Sequence, residues 1–149
     1  MALIQAAPAG VRAVLLGASE YPDQPQLSNP RFRASADAVR EYFLDPAGFG
    51  LRREHWLDLF DAELDATAQC RSIERFLQAQ AAGLKDVIVY YIGHGSVDGR
   101  EYQLAHRFSR SGLAYTRLRF RDLHLAVRTS ARQARKFFVL DSCFAGAAL

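Results

Sequence analysis

The stretch DVIVYYIGHG, residues 86–95, largely decides which fold this chain is expected to adopt. Its first seven residues are rich in β-branched and aromatic side chains, which are typical of a β-strand. Gly93-His94-Gly95 follows at the point where that strand should end. A continuous apolar strand of this kind is usual in parallel sheets, because both of their faces are covered. The stretch therefore predicts a central parallel strand with a histidine just past its carboxyl end.

Strands and helices are predicted to alternate on both sides of this stretch. The other strands are expected at 11–16, 56–60, 102–105 and 136–140, and the helices at 34–44, 67–80 and 121–131. Asp65 or Thr67 is expected to cap the second helix, and the polar segment 19–30 is expected to be loop. The alternation predicts an α/β fold with a mainly parallel sheet, flanked by helices on both faces in a three-layer α/β/α arrangement.

Length and composition favour one globular domain. The chain has 149 residues, half of them hydrophobic, and shows neither a linker nor a repeat, so we predict a single domain over 1–149 with 1–10 as a short tail. No apolar run reaches the roughly 20 residues that span a bilayer, and the first residues lack the features of a secretory signal. Two cysteines make no disulfide framework. A cytoplasmic protein that does not enter membranes is expected.

A second strand is followed by residues of chemical interest. The predicted strand at 136–140 leads directly into Asp-Ser-Cys at 141–143. Because reactive groups collect at the carboxyl ends of parallel strands, His94 and Cys143 would emerge at one edge if their strands are neighbours. A histidine there can accept the thiol proton and later protonate a leaving amine, as thiol acyl transfer requires. The backbone N–H groups of Gly95 and Cys143 would then form the oxyanion hole.

Each motif alone also has an ordinary explanation. A cysteine at a strand end is usually a small buried hydrophobe, and glycines flank histidines in many turns. The combination is more specific, because Cys143 comes 49 positions after His94 and both follow apolar strands. Cys70 falls on the apolar face of a predicted helix and is expected in the core. No metal or other cofactor is expected, since the spacing of the remaining histidines suits no metal site: His55, His106 and His124.

These motifs resemble those of the caspase–metacaspase superfamily, for which a separation of about 50 residues between histidine and cysteine is known. YYIGHG at 90–95 and FFVLDSCFAG at 137–146 are similar to its His and Cys motifs, and the DSC form is closer to metacaspases and bacterial caspase-like effectors than to animal caspases. Similar segments also occur at 14–21, 35–43 and 97–105. The resemblance covers 11–147. It implies a caspase-like large-subunit (p20) domain, cysteine endopeptidase activity through a Cys-His dyad, and a role in regulated cell death or antiviral defence in bacteria.

The resemblance also implies a substrate preference. In metacaspases the Asp two before the nucleophile, here Asp141, and an Asp in the first helix, which aligns with Asp37, line the S1 pocket. Two recessed carboxylates would favour Arg or Lys at P1. Animal caspases hold Asp with an Arg before that helix, near Arg31 here, and with a Gln where this chain has Asp141. Asp37 is equally well explained as a first-turn helix acid, and Asp141 as a turn residue. Ile92 departs from metacaspases, which often have a small hydroxyl residue there.

The family fold continues past the nucleophile into a small subunit, whose part is absent from this sequence. Its absence would leave an open sheet edge, so we expect a small subunit or downstream chain to complete the fold. The chain would then be a processed large subunit, a truncated chain or an inactive fragment. A protein or peptide substrate and an activating partner module are also expected.

Two other functional classes compete with the peptidase. The chain is alternatively a catalytically incompetent caspase homologue that acts as a regulatory or protein-interaction module. The hypothesis of a nucleic-acid-binding domain is supported only by the net charge of +8 over residues 107–136. A solvated basic flank that pairs with acidic residues explains this charge better, so a nucleic-acid partner is not expected.

Overall fold

The computed structural model describes residues 8–143 and 145–148. Its strands are β1 (Val11–Gly17), β2 (Trp56–Asp58), β3 (Asp86–Ile92), β4 (Gly95–Asp98), β5 (Glu101–Leu104), β6 (Leu118–Arg119) and β7 (Arg135–Asp141). Its α-helices are α1 (Pro30–Leu44), α2 (Ala66–Ala79) and α3 (Phe120–Ser130), and short 3-10 turns occupy Pro25–Leu27, Arg53–His55, Ala114–Thr116 and Ala145–Ala148. The predicted α/β class is confirmed.

The strands form two sheets. The larger sheet is parallel throughout and has the order β2-β1-β3-β7, so β3 is an inner strand as its composition predicts. The predicted mainly parallel sheet is therefore confirmed. A small antiparallel sheet of β4, β5 and β6 follows directly after His94. Only β5 of this small sheet was expected from the sequence, because β4 has only four residues and β6 only two.

Side chains alternate between the two faces of the parallel sheet. On one face Val14, Val87 and Val89 join a core cluster with residues of α2 and α3. On the other face Ala13 and Leu15 lie in clusters with residues of α1. Burying one Leu or Val side chain contributes about 1.5–3 kcal/mol, and this apolar burial holds the helices against the sheet.

The first helix begins earlier than its apolar periodicity predicts. The side chain of Asn29 accepts a hydrogen bond from the Arg31 N–H, and Pro30 occupies the first helical turn. Both residues are typical of a helix start, so the predicted start at residue 34 is wrong by four positions. Arg31 consequently lies in the first turn of α1 and Asp37 near its middle. The start of α2 agrees with prediction, because Asp65 accepts from the Ala68 N–H.

An apolar groove lies between α1 and β7. Phe137 and Val139 of β7 are 47% and 40% exposed, and Tyr42 of α1 is 57% exposed. The groove has a volume of about 570 Å³ and is lined by Ala38, Val39, Tyr42, Phe43, Ile88, Tyr90, Phe137 and Val139. Among the described residues, β7 pairs with β3 alone. The sheet thus has an unpaired edge beside an uncovered apolar surface.

Many arginines of the basic segment 107–136 pair with carboxylates from elsewhere in the chain. Arg107 contacts Glu20 at 2.9 Å, Arg110 contacts Asp23 at 3.5 Å and Arg135 contacts Asp86 at 2.6 Å. Exposed pairs of this kind add little stability, but they account for much of the local charge. They agree with the basic-flank explanation. In the part of the chain that the structure describes, no helix is long and apolar enough to cross a membrane.

Candidate active site

Strands β3 and β7 are in register up to their carboxyl ends. Ile92 is paired with Asp141, and the Gly93 N–H donates to the Asp141 carbonyl oxygen at 3.3 Å. His94 and Cys143 each follow two residues after this last pair, so both leave the sheet at the same edge. The two segments also approach closely, because a Cβ atom on Gly95 would overlap the Cys143 carbonyl oxygen. The strands are therefore neighbours, as the sequence interpretation required.

The His94 ring is held by the loop between β1 and α1. Its Nε2 lies 2.8 Å from the Leu27 carbonyl oxygen. Since a carbonyl oxygen can only accept, Nε2 carries a proton, and in the neutral ring Nδ1 is left as the acceptor. The ring packs against Tyr21 and Phe32, with centroid distances of 5.4 and 5.0 Å. These contacts fix both the tautomer and the orientation of the imidazole.

The backbone of His94 is held by a buried tyrosine. The Tyr91 hydroxyl lies 2.8 Å from the carbonyl oxygens of both His94 and Ala105. Burial raises the pKa of Tyr91 well above its ordinary value, and burial raises the pKa of Tyr21 to about 12. Both phenols are therefore neutral near pH 7. A Cβ atom on Gly93 would meet both hydroxyls, so glycine permits this close approach.

The loop that carries Tyr21 and Leu27 is anchored by Asp61. This carboxylate accepts from the Ser19 N–H at 2.7 Å, the Ser19 hydroxyl at 2.6 Å and the Glu20 N–H at 3.2 Å. It also pairs with Arg33 at 2.6 Å, and its side chain is only 5% exposed. Asp61 has a φ of 52°, a strained backbone conformation of the kind that collects near functional sites. Asp61 could not be found from the sequence, because its partners lie between 28 and 42 positions earlier in the chain.

Cys143 is exposed, whereas Cys70 is half-buried. Cys70 packs against the core beneath α2, and burial raises the pKa of its thiol to about 11. The ordinary explanation of a cysteine as a small core residue thus fits Cys70, as predicted, and does not fit Cys143. The loop at Cys143 is held by Tyr102, whose hydroxyl lies 2.5 Å from Ser142 Oγ and 3.0 Å from the Cys143 carbonyl oxygen.

The geometry of β4 leaves one backbone donor, the Gly95 N–H, without a partner on β5 and close to the Cys143 loop. The Ala105 N–H donates to the His94 carbonyl oxygen at 2.9 Å, and Gly95 is paired with Leu104. In an antiparallel ladder, hydrogen-bonded and non-hydrogen-bonded pairs alternate. His94 and Ala105 form a bonded pair, so Gly95 belongs to a non-bonded pair and its N–H points away from β5. This donor is thus left over for another acceptor beside the Cys143 loop.

The two predicted S1 carboxylates lie on the side of the sheet that carries α1. Asp37 pairs with Arg40 at 2.6 Å, and Arg40 also binds Asp58. The explanation of Asp37 as a first-turn acid is wrong, because α1 starts at Pro30. Asp141 is exposed rather than buried, so the expected recessed carboxylate is also wrong. Asp141 follows Val139 by two positions in β7 and therefore points toward the end of the groove.

The other histidines lie in separate environments. His55 and His106 are buried, and burial lowers the pKa of each, while His124 stacks on Phe120. Within residues 8–143 and 145–148, no three potential ligands among His, Cys, Asp and Glu lie close enough together to hold a metal ion. No protein-family model matches this chain, and no curated protein matches it in sequence. We therefore interpret the site from its own geometry.

Proposed function

We propose that this chain is a caspase-like cysteine endopeptidase of three-layer α/β/α architecture, with Cys143 as nucleophile and His94 as general base. The observation that carries the proposal is the shared strand-end register of β3 and β7, together with the Nε2 hydrogen bond from His94 to the Leu27 carbonyl oxygen. An exposed cysteine and an oriented imidazole that leave the sheet at the same end, with the Gly95 N–H close to the Cys143 loop, are the parts that acyl transfer uses.

Each residue has a defined step in this reaction. Nδ1 of His94 accepts the thiol proton, and Sγ of Cys143 attacks the scissile carbonyl carbon. The resulting oxyanion accepts hydrogen bonds from the N–H groups of Gly95 and Cys143. His94 then gives its proton to the departing amine, which leaves a thioester at Cys143. A water molecule, deprotonated by His94, attacks the thioester; the C–S bond breaks, the acid product leaves, and His94 returns the proton to the Cys143 sulfur.

The proposed specificity is for Arg or Lys at P1. The exposed Asp141 carboxylate near the end of the groove supports a basic P1 side chain, because charge-assisted pairs with Arg are strong and bidentate. Asp37 would contribute only if the substrate displaced Arg40 from it. We therefore assign Asp141 the larger share of P1 recognition and Asp37 the smaller one.

A second chain segment is part of this proposal. The apolar groove and the unpaired edge of β7 support a small subunit, or a downstream segment of the same protein, that covers both. We place such a peptidase in the cytoplasm, in regulated cell death or antiviral defence, under the control of an activating module. The same uncovered surface favours the second candidate, a catalytically incompetent homologue that binds and regulates another protein.

Turnover of fluorogenic peptides with Arg, Lys or Asp at P1 tests the proposal, with and without a candidate small subunit supplied. We expect cleavage after Arg and Lys, and its loss by at least about 1,000-fold in Cys143→Ala and His94→Ala. Cys70→Ala is the matched control, since it removes the chain's other thiol and should retain activity.

Three results would contradict parts of this proposal. Equal turnover by Cys143→Ala would exclude Cys143 as nucleophile. A preference for Asp at P1 would exclude the assigned role of Asp141. Absence of turnover in every combination, while Cys143 still reacts with thiol reagents, would favour the regulatory module.

A further inference from the structure

We propose that Tyr102 is a positioning residue, whose hydroxyl fixes the peptide group of Cys143 and thereby the nucleophile. This inference rests on the proposed peptidase function. Tyr102 belongs to β5, and its side chain is 3% exposed. It is thus a rigid element of the fold rather than part of the exposed loop that it contacts.

The hydrogen-bond directions around Tyr102 follow from chemistry. Its hydroxyl lies 3.0 Å from the Cys143 carbonyl oxygen, which can only accept, so the phenol proton goes to that carbonyl. The Ser142 hydroxyl, at 2.5 Å, then donates to the phenol oxygen. The result is a chain from Ser142 through Tyr102 to the carbonyl of Cys143. One buried side chain therefore holds two consecutive residues of the nucleophile loop.

Gly95 lies directly against the contact between the Tyr102 hydroxyl and the Cys143 carbonyl oxygen. A Cβ atom on Gly95 would overlap both the Tyr102 hydroxyl and the Cys143 carbonyl oxygen. The Tyr102 ring is in turn backed by Phe120 of α3, at a centroid distance of 6.2 Å. Because the Cys143 carbonyl is held between β4 and β5, rotation of its peptide plane is restricted. Such restriction fixes the backbone from which the Cys143 thiol and its N–H project.

Tyr102→Phe tests this role, because it removes only the hydroxyl. We expect kcat to fall about tenfold with KM within about twofold, since an interaction needed for alignment is lost while substrate binding is not. Tyr115→Phe is the matched control, because Tyr115 is 79% exposed and its variant should keep wild-type values. Unchanged kcat in Tyr102→Phe would overturn the inference.

A second readout does not depend on peptidase activity. In a Cys70→Ala background, the rate at which iodoacetamide alkylates Cys143 reports how well the thiol is placed beside His94. Tyr102→Phe is expected to slow it about fivefold, whereas Tyr115→Phe leaves it unchanged. If the wild type cleaves no peptide, the proposed function fails, but the alkylation rate of Cys143 still tests the positioning role of Tyr102. An equal alkylation rate in Tyr102→Phe and wild type would overturn the positioning role.

Ser142→Ala separates the two hydrogen bonds. The bond from Tyr102 to the Cys143 carbonyl should survive in this variant, so we expect only about a twofold to threefold loss in kcat and in alkylation rate. A loss larger than that of Tyr102→Phe would overturn the proposed order of the chain. Circular dichroism identifies any variant that fails to fold. If Tyr102→Phe is such a variant, an unchanged rate in Ser142→Ala overturns the inference by itself.

Discussion

On one face of the parallel sheet, α2 and α3 leave Val89 and Tyr91 0% and 1% exposed, whereas on the α1 face Phe137 and Val139 remain 47% and 40% exposed. Strands β3 and β7 both show the difference: Ile88 and Tyr90 of β3 are half-buried on the α1 face and line the groove, whereas Phe138 and Leu140 of β7 are half-buried on the face that carries α2 and α3. The face of the sheet under α2 and α3, the closed face, is therefore fully covered at its centre, whereas the face that carries α1, the open face, leaves apolar side chains of β7 in contact with solvent. The open side also carries Asp141, so the uncovered surface extends to the candidate active site.

The largest expected effect is on the closed face. Leu77→Ala removes a fully buried side chain of α2 from the main core cluster. We expect the free energy of unfolding to fall by about 2–5 kcal/mol, from lost burial and the resulting cavity. Urea denaturation followed by circular dichroism measures it. A change below about 1 kcal/mol would show that the closed face is not the main source of stability.

The closed face also protects the Cys70 thiol. Burial raises the pKa of Cys70 to about 11, so at about pH 8 its alkylation should be on the order of 100-fold slower than that of an ordinary thiol. The rate should rise about tenfold per pH unit up to pH 10. Because the pKa is raised on folding, the associated stability is present below the unfolded-state pKa and is lost as the pH rises toward 11. Mass spectrometry of a Cys143→Ala variant isolates this thiol, and fast alkylation near pH 8 would argue against its burial.

The smallest effect on stability is expected on the open face. Replacing Phe137 and Val139 together by Ser should change the free energy of unfolding by less than about 1 kcal/mol, because both side chains are partly in water already. The same variant should lose most of the fluorescence of an apolar dye bound to the groove. A stability loss comparable to that of Leu77→Ala would remove the distinction between the two faces.

The sequence predicted the elements with strong local signals. The apolar runs of β1, β3 and β7 and the periodicity of α2 and α3 have the expected places, because each pattern is complete within one segment. The start of α1 was set too late, although Asn29 and Pro30 carry a cap signal, because apolar spacing was weighted above capping. The strands β4 and β6 have four and two residues, which is too short for any period.

The sequence pointed to the two candidate residues, and the structure places both at the same end of the sheet, but the residues that hold them in place could not be predicted. His94 and Cys143 stand out because glycines and strand ends mark them. Leu27 acts through a backbone carbonyl, which its side-chain type does not reveal. Tyr91 and Tyr102 read as ordinary strand residues, since their hydroxyl partners depend on tertiary packing. The expectation that Asp141 is buried was wrong, because the sequence alone does not show that β7 is an edge strand of the described sheet.

The pairing of β3 with β7 also has a kinetic consequence. It joins segments about 50 positions apart, and β1 must reach β3 across an even longer intervening chain. Closing such loops costs entropy before the contacts compensate for it, so parallel pairings of this kind form slowly. As the chain is synthesised from its amino end, β7 emerges after β1, β2 and β3, so it can join the sheet only after those three strands are available. His94 and Cys143 therefore come to the same end of the sheet only after β7 has paired with β3.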